Sequence, residues 1–351
     1  MKPKDMKILL VGWGYPPEID GGLDIHVYHL FKELEKKDFK VKVALPEDRA
    51  PDKENIISLE TGEGDMKWQA RKISSEIVEI SEEFDIIHTH DWFGAEAGFK
   101  AKKYSDTSWV STIHSLDSSR NRSGSTDIGR LERVAVEEPD RLITVSKKLK
   151  DEIREEFRGN PEVIYNGFSK PSSTNKDVKH DLGIDNDMVF FVGRHAEQKG
   201  IEHLLYGFKK FLEDGNDASL VIGGDGHIKN SLEDFTEILG ISDSVFFTGF
   251  IPREELGDYY GDADVFVSPS INEPFGLTIT EALECETTVM ATESGVTEIL
   301  GENSIIEISP DSDSIKSGLE KALGEDFTSE YKSRSWKEMA DETSEVYREI
   351  N

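Results

Sequence analysis

The sequence predicts an α/β protein of two doubly wound domains, each a parallel sheet with helices on both faces, the two facing each other across a cleft. Short β-branched apolar runs alternate with stretches of helical periodicity along nearly all of its 351 residues. That alternation breaks once, in a polar stretch around Pro171, and then starts afresh. A chain of this length also exceeds what one hydrophobic core usually organises, so two domains are the natural division.

The first half opens with an apolar run from Ile8 to Val11. A helical pattern with Leu23, Val27, Leu30 and Leu34 on one face follows, and then a second run from Val41 to Leu45. This is a βαβ signature. Further runs at Ile86 to Thr89, Trp109 to Ile113, Leu142 to Val145 and Val163 to Tyr165 complete a first domain over residues 1–168. Residues 169–185, rich in Ser, Lys and Asn and without apolar periodicity, read as a linker. Met188 to Val192, Leu220 to Ile222, Val245 to Phe247, Val265 to Ser268 and Val289 to Ala291 supply a second domain over 186–326. Residues 327–351 read as a polar helical segment from Ser329 to Ile350. Its apolar residues Tyr331, Trp336, Met339, Val346 and Tyr347 are too few for a core of their own, so it must dock elsewhere.

Lys and Arg number 41 against 71 Asp and Glu, a formal charge of -30. That field repels nucleic acid and anionic lipid surfaces, so neither is an expected partner. It fits a heavily solvated surface, and equally a salty cytoplasm in which screening removes the self-repulsion. Cys285 is the single cysteine, which excludes an intramolecular disulfide and a cysteine zinc cage. With no long uncharged apolar segment, the expectation is a soluble, cytoplasmic protein.

Candidate ligand-binding residues sit where apolar runs end, because open α/β sheets bind ligands at the carboxyl ends of their strands. Gly12-Trp13-Gly14 is followed by Pro16-Pro17 and lacks the third glycine of a dinucleotide fingerprint, so no nicotinamide cofactor is expected. Gly21 and Gly22 precede the first helical pattern, either as an anion-approach point at a helix start or as a plain turn. Arg194 and Lys199 follow the strand ending at Val192. They suit the diphosphate of a nucleotide sugar, where surface cations are otherwise merely solvated.

After the strand Val265 to Ser268 comes Glu273-Pro274-Phe275-Gly276-Leu277-Thr278, with Glu281 one helical turn further on. The amides near Gly276 and Leu277 are expected to be open to a ligand, Glu273 to meet sugar hydroxyls and Glu281 the hydroxyls of a ribose. In the first half, His88-Thr89-His90-Asp91-Trp92 ends one strand and Thr112-Ile113-His114-Ser115 the next. His88, His90 and Asp91 have metal-ligand chemistry, yet His114 comes from another strand, so no metal is expected. Sugar contacts are the better use for His114 and Asp91, and a structural hydrogen bond for His88.

In this order the motifs resemble the family-4 retaining glycosyltransferases of GT-B fold over nearly the whole chain. They comprise the Gly-Gly loop, HTHDW at His88 to Trp92, TIHS at Thr112 to Ser115, VS at Val145-Ser146, YNG at Tyr165 to Gly167, and GR with KG. GGDG at Gly223 to Gly226, EPFGLT with Glu281, and SGVTE at Ser294 to Glu298 complete the series. His88 to Trp92 and Thr112 to Arg120 look most like glycogen and starch synthases of the compact archaeal kind. Three positions depart from the pattern. Ile19-Asp20 stand where bacterial enzymes carry Lys-Thr, Asp24 stands where many relatives have glycine, and Ser294-Gly295 replaces paired glycines.

The resemblance implies that residues 1–168 serve the acceptor side, that 186–326 bind the nucleotide sugar, and that the C-terminal helix crosses back to the first domain. It gives His114, Glu273, Arg194 and Lys199 to catalysis; Gly21, Gly22, Gly276, Leu277, Thr278 and Glu281 to the donor; and Asp91 and His90 to the acceptor or sugar side. It further implies transfer of glucose with retention, from ADP-glucose or UDP-glucose to an α-glucan, without cofactor or essential metal. The alternatives are another sugar nucleotide with a small-molecule, lipid or protein acceptor, an inactive carbohydrate-binding protein, and a GT-B epimerase.

Overall fold

The structure is a computed structural model that describes residues 6–117, 126–324, 327 and 329–350. It divides into two compact units, Met1–Gly167 with Arg334–Asn351, and Phe168–Ser333.

In the first unit the chain runs β1 (Lys7–Val11), α1 (Gly22–Glu35), β2 (Lys40–Pro46), β3 (Ile56–Leu59), α2 (Met66–Ile80) and β4 (Ile86–His90). It continues through α3 (Ala95–Tyr104), β5 (Ser108–Ile113), α4 (Thr126–Glu137), β6 (Arg141–Thr144), α5 (Lys147–Glu156) and β7 (Glu162–Val163). The strands form one parallel sheet in the order β3-β2-β1-β4-β5-β6-β7. Ile8, Leu9, Leu10 and Val11 are fully buried, as a sheet covered on both faces requires. Helix α1 buries Val27, Leu30, Phe31 and Leu34 at helical spacing. The order reverses beside β1, which puts the loops after β1 and β4 at the sheet's ligand-binding switch point.

In the second unit the elements are α6 (Val178–Leu182), β8 (Asp187–Val192), α7 (Ile201–Glu213), β9 (Ala218–Gly223), α8 (Lys229–Leu239), β10 (Val245–Gly249) and α9 (Leu256–Asp262). After them come β11 (Val265–Ser268), α10 (Leu277–Glu284), β12 (Thr288–Ala291), β13 (Ile306–Glu307) and α11 (Ser312–Gly324). The parallel order is β10-β9-β8-β11-β12-β13, with β8 and β11 paired side by side at the switch point. A core of Val189, Phe191, Leu204, Phe208, Leu220, Ile222 and Val267 lies on one face of this sheet. Each unit is thus a Rossmann-like α/β domain.

Three expectations need correction. Residues 169–185 are no linker but part of the second unit. The Asp258 carboxylate accepts from the amides of Thr174 and Asn175, at 2.8 and 2.9 Å, and from the hydroxyls of Ser173 and Thr174, while Val178–Leu182 forms a helical turn. Composition hid this, because Ser, Asn and Thr are loop residues and capping partners alike. The last helix, α12 (Trp336–Ile350), starts seven residues later than expected, after Ser335, whose side chain exchanges a capping box with Glu338. Strands β3 and β13, four and two residues long, fell below the pattern threshold.

Helix α12 packs within the first unit. Tyr347 donates or accepts at His88 Nδ1 over 2.6 Å, Trp336 stacks on His29 at 4.4 Å, and Lys37 pairs with Asp341. Gly167 makes this approach possible, since a Cβ there would lie 2.3 Å from the Trp336 amide nitrogen.

Candidate active site

In the second unit the loops after β8 and β11 meet. Ile271 N donates to Gln198 O at 2.8 Å, and Gly200 adopts φ +66 so close to Pro269 that a Cβ would lie 2.1 Å from its carbonyl oxygen. Only glycine fits that crossing. It brings Lys199 Nζ to 2.7 Å from Glu273 Oε2, with Ser270 Oγ donating to the same oxygen at 3.3 Å. The Lys199 and Glu273 side chains are 22% and 12% exposed, so the pair is largely withdrawn from water while its remaining donors and acceptors stay open to a ligand. Arg194 lies exposed just past the end of β8.

Gly276 caps α10 in the left-handed region at φ +98 with no side-chain cap. The first-turn amides of Leu277 and Thr278 therefore have no intrahelical acceptor and face the positive end of the helix. A carboxylate, a cation and a helix start thus sit together, an arrangement that binds a sugar hydroxyl and an anion side by side.

Glu281 lies deeper than the sequence suggested. It is 4% exposed, with Arg253 Nη2 at 3.1 Å from one carboxylate oxygen and Tyr260 OH at 3.2 Å from the other. Burial raises its pKa against the lowering by Arg253 and Tyr260, and burial together with Glu281 raises that of Tyr260. Arg253 and Tyr260 were not found from the sequence, because nothing in the spacing links the run PREELGDYY that holds them to Glu281. A ribose reaching Glu281 would share it with Arg253.

In the first unit, Gly21 caps α1 in an extended conformation with open space at its Cβ position, and Gly22 begins the helix. The loop before them is held by Asp24, whose buried carboxylate accepts from Gly14 N and Asp20 N, both at 2.8 Å. Burial raises the Asp24 pKa, and the backbone donors oppose that rise. Asp24 is therefore a clamp on its own loop.

β4 and β5 bring His90 and His114 together, Nδ1 to Nε2 at 3.1 Å, although their separate strands argued against a shared metal. His88 and His90 share one face, as alternation predicts, with rings stacked at 4.5 Å. Both His88 nitrogens are engaged, by Tyr347 OH at 2.6 Å and Thr112 Oγ1 at 2.7 Å, the structural role expected of it. Asp91 has φ +53, a costly conformation for a non-glycine residue. Its Oδ1 accepts from the His114 amide at 2.7 Å, so Asp91 shapes the loop as well as bordering it. Ser118–Arg120, the end of the stretch compared with glycogen synthases, lie outside the described residues.

His26 joins the cluster from α1, its ring 4.6 Å from His114 and 5.3 Å from His90. Its Nδ1 meets Asn166 Oδ1 at 2.7 Å. The sequence placed it only as a helix residue, since nothing in the spacing links α1 to β4. Burial lowers the pKa of all three interior histidines, His26 to about 3 with His114 adding to the fall, and His88 and His90 well below the usual value. All three rings are neutral at physiological pH.

Residues 172–342 match the family model of group 1 glycosyl transferases, and residues 20–169 match that of glycosyltransferase family 4. The chain is 33% identical to the uncharacterized glycosyltransferase MJ1607 of Methanocaldococcus jannaschii, over 98% of each chain. It is 26% identical to the alpha-maltose-1-phosphate synthase of Mycolicibacterium smegmatis, over 99% of this chain and 100% of that one. Identity to the glycogen synthase of Mycobacterium tuberculosis is 27%, over 83% and 78%. Among solved structures, the sucrose-phosphate synthase of Thermosynechococcus elongatus matches with a TM-score of 0.79 at 20% identity, over 98% and 99% of the two chains, which is a likeness of fold.

Proposed function

Since the chain belongs to the GT-B glycosyltransferases that join a family-4 domain to a group 1 domain, we propose that it transfers glucose from ADP-glucose or UDP-glucose to an α-glucan with retention of configuration. The observation that carries this reading is the Lys199–Glu273 pair at the start of α10. Lys199 stabilises charge growing on the leaving diphosphate, with Arg194 contributing its fork from the same strand end. Glu273 accepts from sugar hydroxyls, and the amides of Leu277 and Thr278 meet sugar and phosphate oxygens beside Gly276. Glu281 takes the ribose, and Gly21 and Gly22 are assigned to the donor. His114 serves the transferred sugar, and His90 and Asp91 belong to the acceptor or sugar side. The leaving phosphate assists the incoming hydroxyl on the same face, so the two-carboxylate geometry of glycosidases does not apply to Glu273 and Glu281. No cofactor or essential metal enters this chemistry.

The glucan acceptor rests on the glycogen-synthase motifs and on the 27% identical glycogen synthase. The full-length match to an alpha-maltose-1-phosphate synthase favours a second acceptor reading, a small phosphorylated sugar. A donor and acceptor screen separates them. ADP-glucose and UDP-glucose are each incubated with glycogen or with glucose 1-phosphate, and nucleotide release is followed. Release that requires glycogen supports the first reading, release that requires the sugar phosphate supports the second, and no acceptor-dependent release with any glucose donor rejects both.

A further inference from the structure

We propose that His26, His90 and His114 form a binding site for one divalent transition-metal ion of the zinc class. One ring nitrogen from each lies within 4.8 Å of the others. Zinc bound to imidazole at about 2.0–2.1 Å in a tetrahedron has ligand atoms roughly 3.3 Å apart. His90 Nδ1 and His114 Nε2 already stand at 3.1 Å. Small ring rotations close the remaining gap.

Two further observations point to an ion. His26 Nε2 is a buried imidazole nitrogen without a hydrogen-bond partner, on a residue only 2% exposed. Such orphaned groups are costly unless something satisfies them. His26 also has the outer arrangement of a metal ligand. Its Nδ1 is positioned to donate to Asn166 Oδ1, which sets the tautomer and leaves a lone pair on Nε2. His88, stacked on His90, is no candidate, because both its nitrogens are taken. Asp91, whose carboxylate holds the His114 amide, supplies nearby negative charge, and a net charge of -30 favours cation entry.

Three imidazole ligands suit zinc(II), cobalt(II) or nickel(II) rather than magnesium or calcium, which prefer oxygen. An ion here engages His114, so it would act as a brake on sugar transfer rather than as a participant in it. Only the brake rests on the proposed transferase function; the metal binding itself is measured without a sugar substrate.

The test is a cobalt(II) titration of the purified, metal-free full chain, followed by visible absorption and zinc(II) competition. The expected result is one equivalent of cobalt(II) with a low-symmetry ligand-field band that zinc(II) abolishes, and at least about tenfold weaker binding in His26→Gln and His90→Gln. Those residues are buried, so the unmutated chain provides a second measurement. Zinc(II) should shift the imidazole nitrogen resonances of three histidines and leave those of His88 in place. Absence of the band, a band unchanged in both variants, or zinc(II) shifting no imidazole resonance would overturn the proposal.

Discussion

Lys199 Nζ lies 2.7 Å from Glu273 Oε2, joining the loop after one central strand to the loop after its neighbour at the switch point of the second sheet. Each residue then holds the other where a donor would meet both. Replacing Lys199 by Met should weaken binding of UDP or ADP, read by calorimetry, because it removes a cation from the diphosphate. Glu273→Gln, which keeps the shape, should leave nucleotide binding nearly unchanged. In turnover the two losses should fall short of additive, with a coupling of about 0.5–3 kcal/mol as expected for residues in contact. Strict additivity would show that the pair does not act as a unit.

Glu281 is buried against Arg253 and Tyr260. Arg253→Met leaves the carboxylate with one neutral donor, and the expected cost is about 1–3 kcal/mol, or roughly 2–4 °C in Tm per kcal/mol for a domain of this size. The folded chain holds Glu281 above its ordinary pKa, so the group's favourable contribution is present at low pH and is lost as pH rises through that raised value. Losing Arg253 enlarges the rise. Thermal melts of both proteins at acidic and neutral pH check this, with the gap widening toward neutrality. A gap independent of pH would mean that Glu281 is not the group affected.

His26 is neutral in the fold, with its pKa lowered to about 3 from 6.5. The unfolded chain binds that proton more readily, so stability is fully present above 6.5 and drains away as pH falls toward 3. The loss is about 2 kcal/mol by about pH 5. His26→Gln removes this titration while keeping a side-chain amide near Asn166. Its Tm should fall less steeply than that of the wild type between pH 6.5 and 5, about where this proton binds. Parallel slopes would show that His26 is not the group that takes up the proton on unfolding.

The net charge of -30 predicts that added salt stabilises the chain, because screening relieves repulsion among surface carboxylates. Tm should rise from low to molar salt. A flat or falling Tm would show that the acidic surface is merely solvated.

The parallel sheets, the domain count and the strand ends carrying His90, His114, Lys199 and Glu273 were legible because buried parallel strands are continuous apolar runs, and their ends are where polar residues cluster. Contacts between elements distant in sequence were not. The clamp of Asp24 on Gly14, the Arg253 and Tyr260 partners of Glu281, and the approach of His26 to His114 depend on how α1, α9 and α10 pack. No residue spacing encodes that. Asp24 shows the limit most plainly, since the sequence marked it only as a departure from the family pattern and it proves to be the support of the loop.

The most direct test of the central claim is acceptor-dependent nucleotide release from a glucose donor by the wild type and by Glu273→Gln. Turnover in the variant should be at least about a hundredfold lower, by analogy with the loss of one preorganised group at a developing charge. Equal turnover in the two proteins would contradict the placement of the transfer site at Lys199 and Glu273.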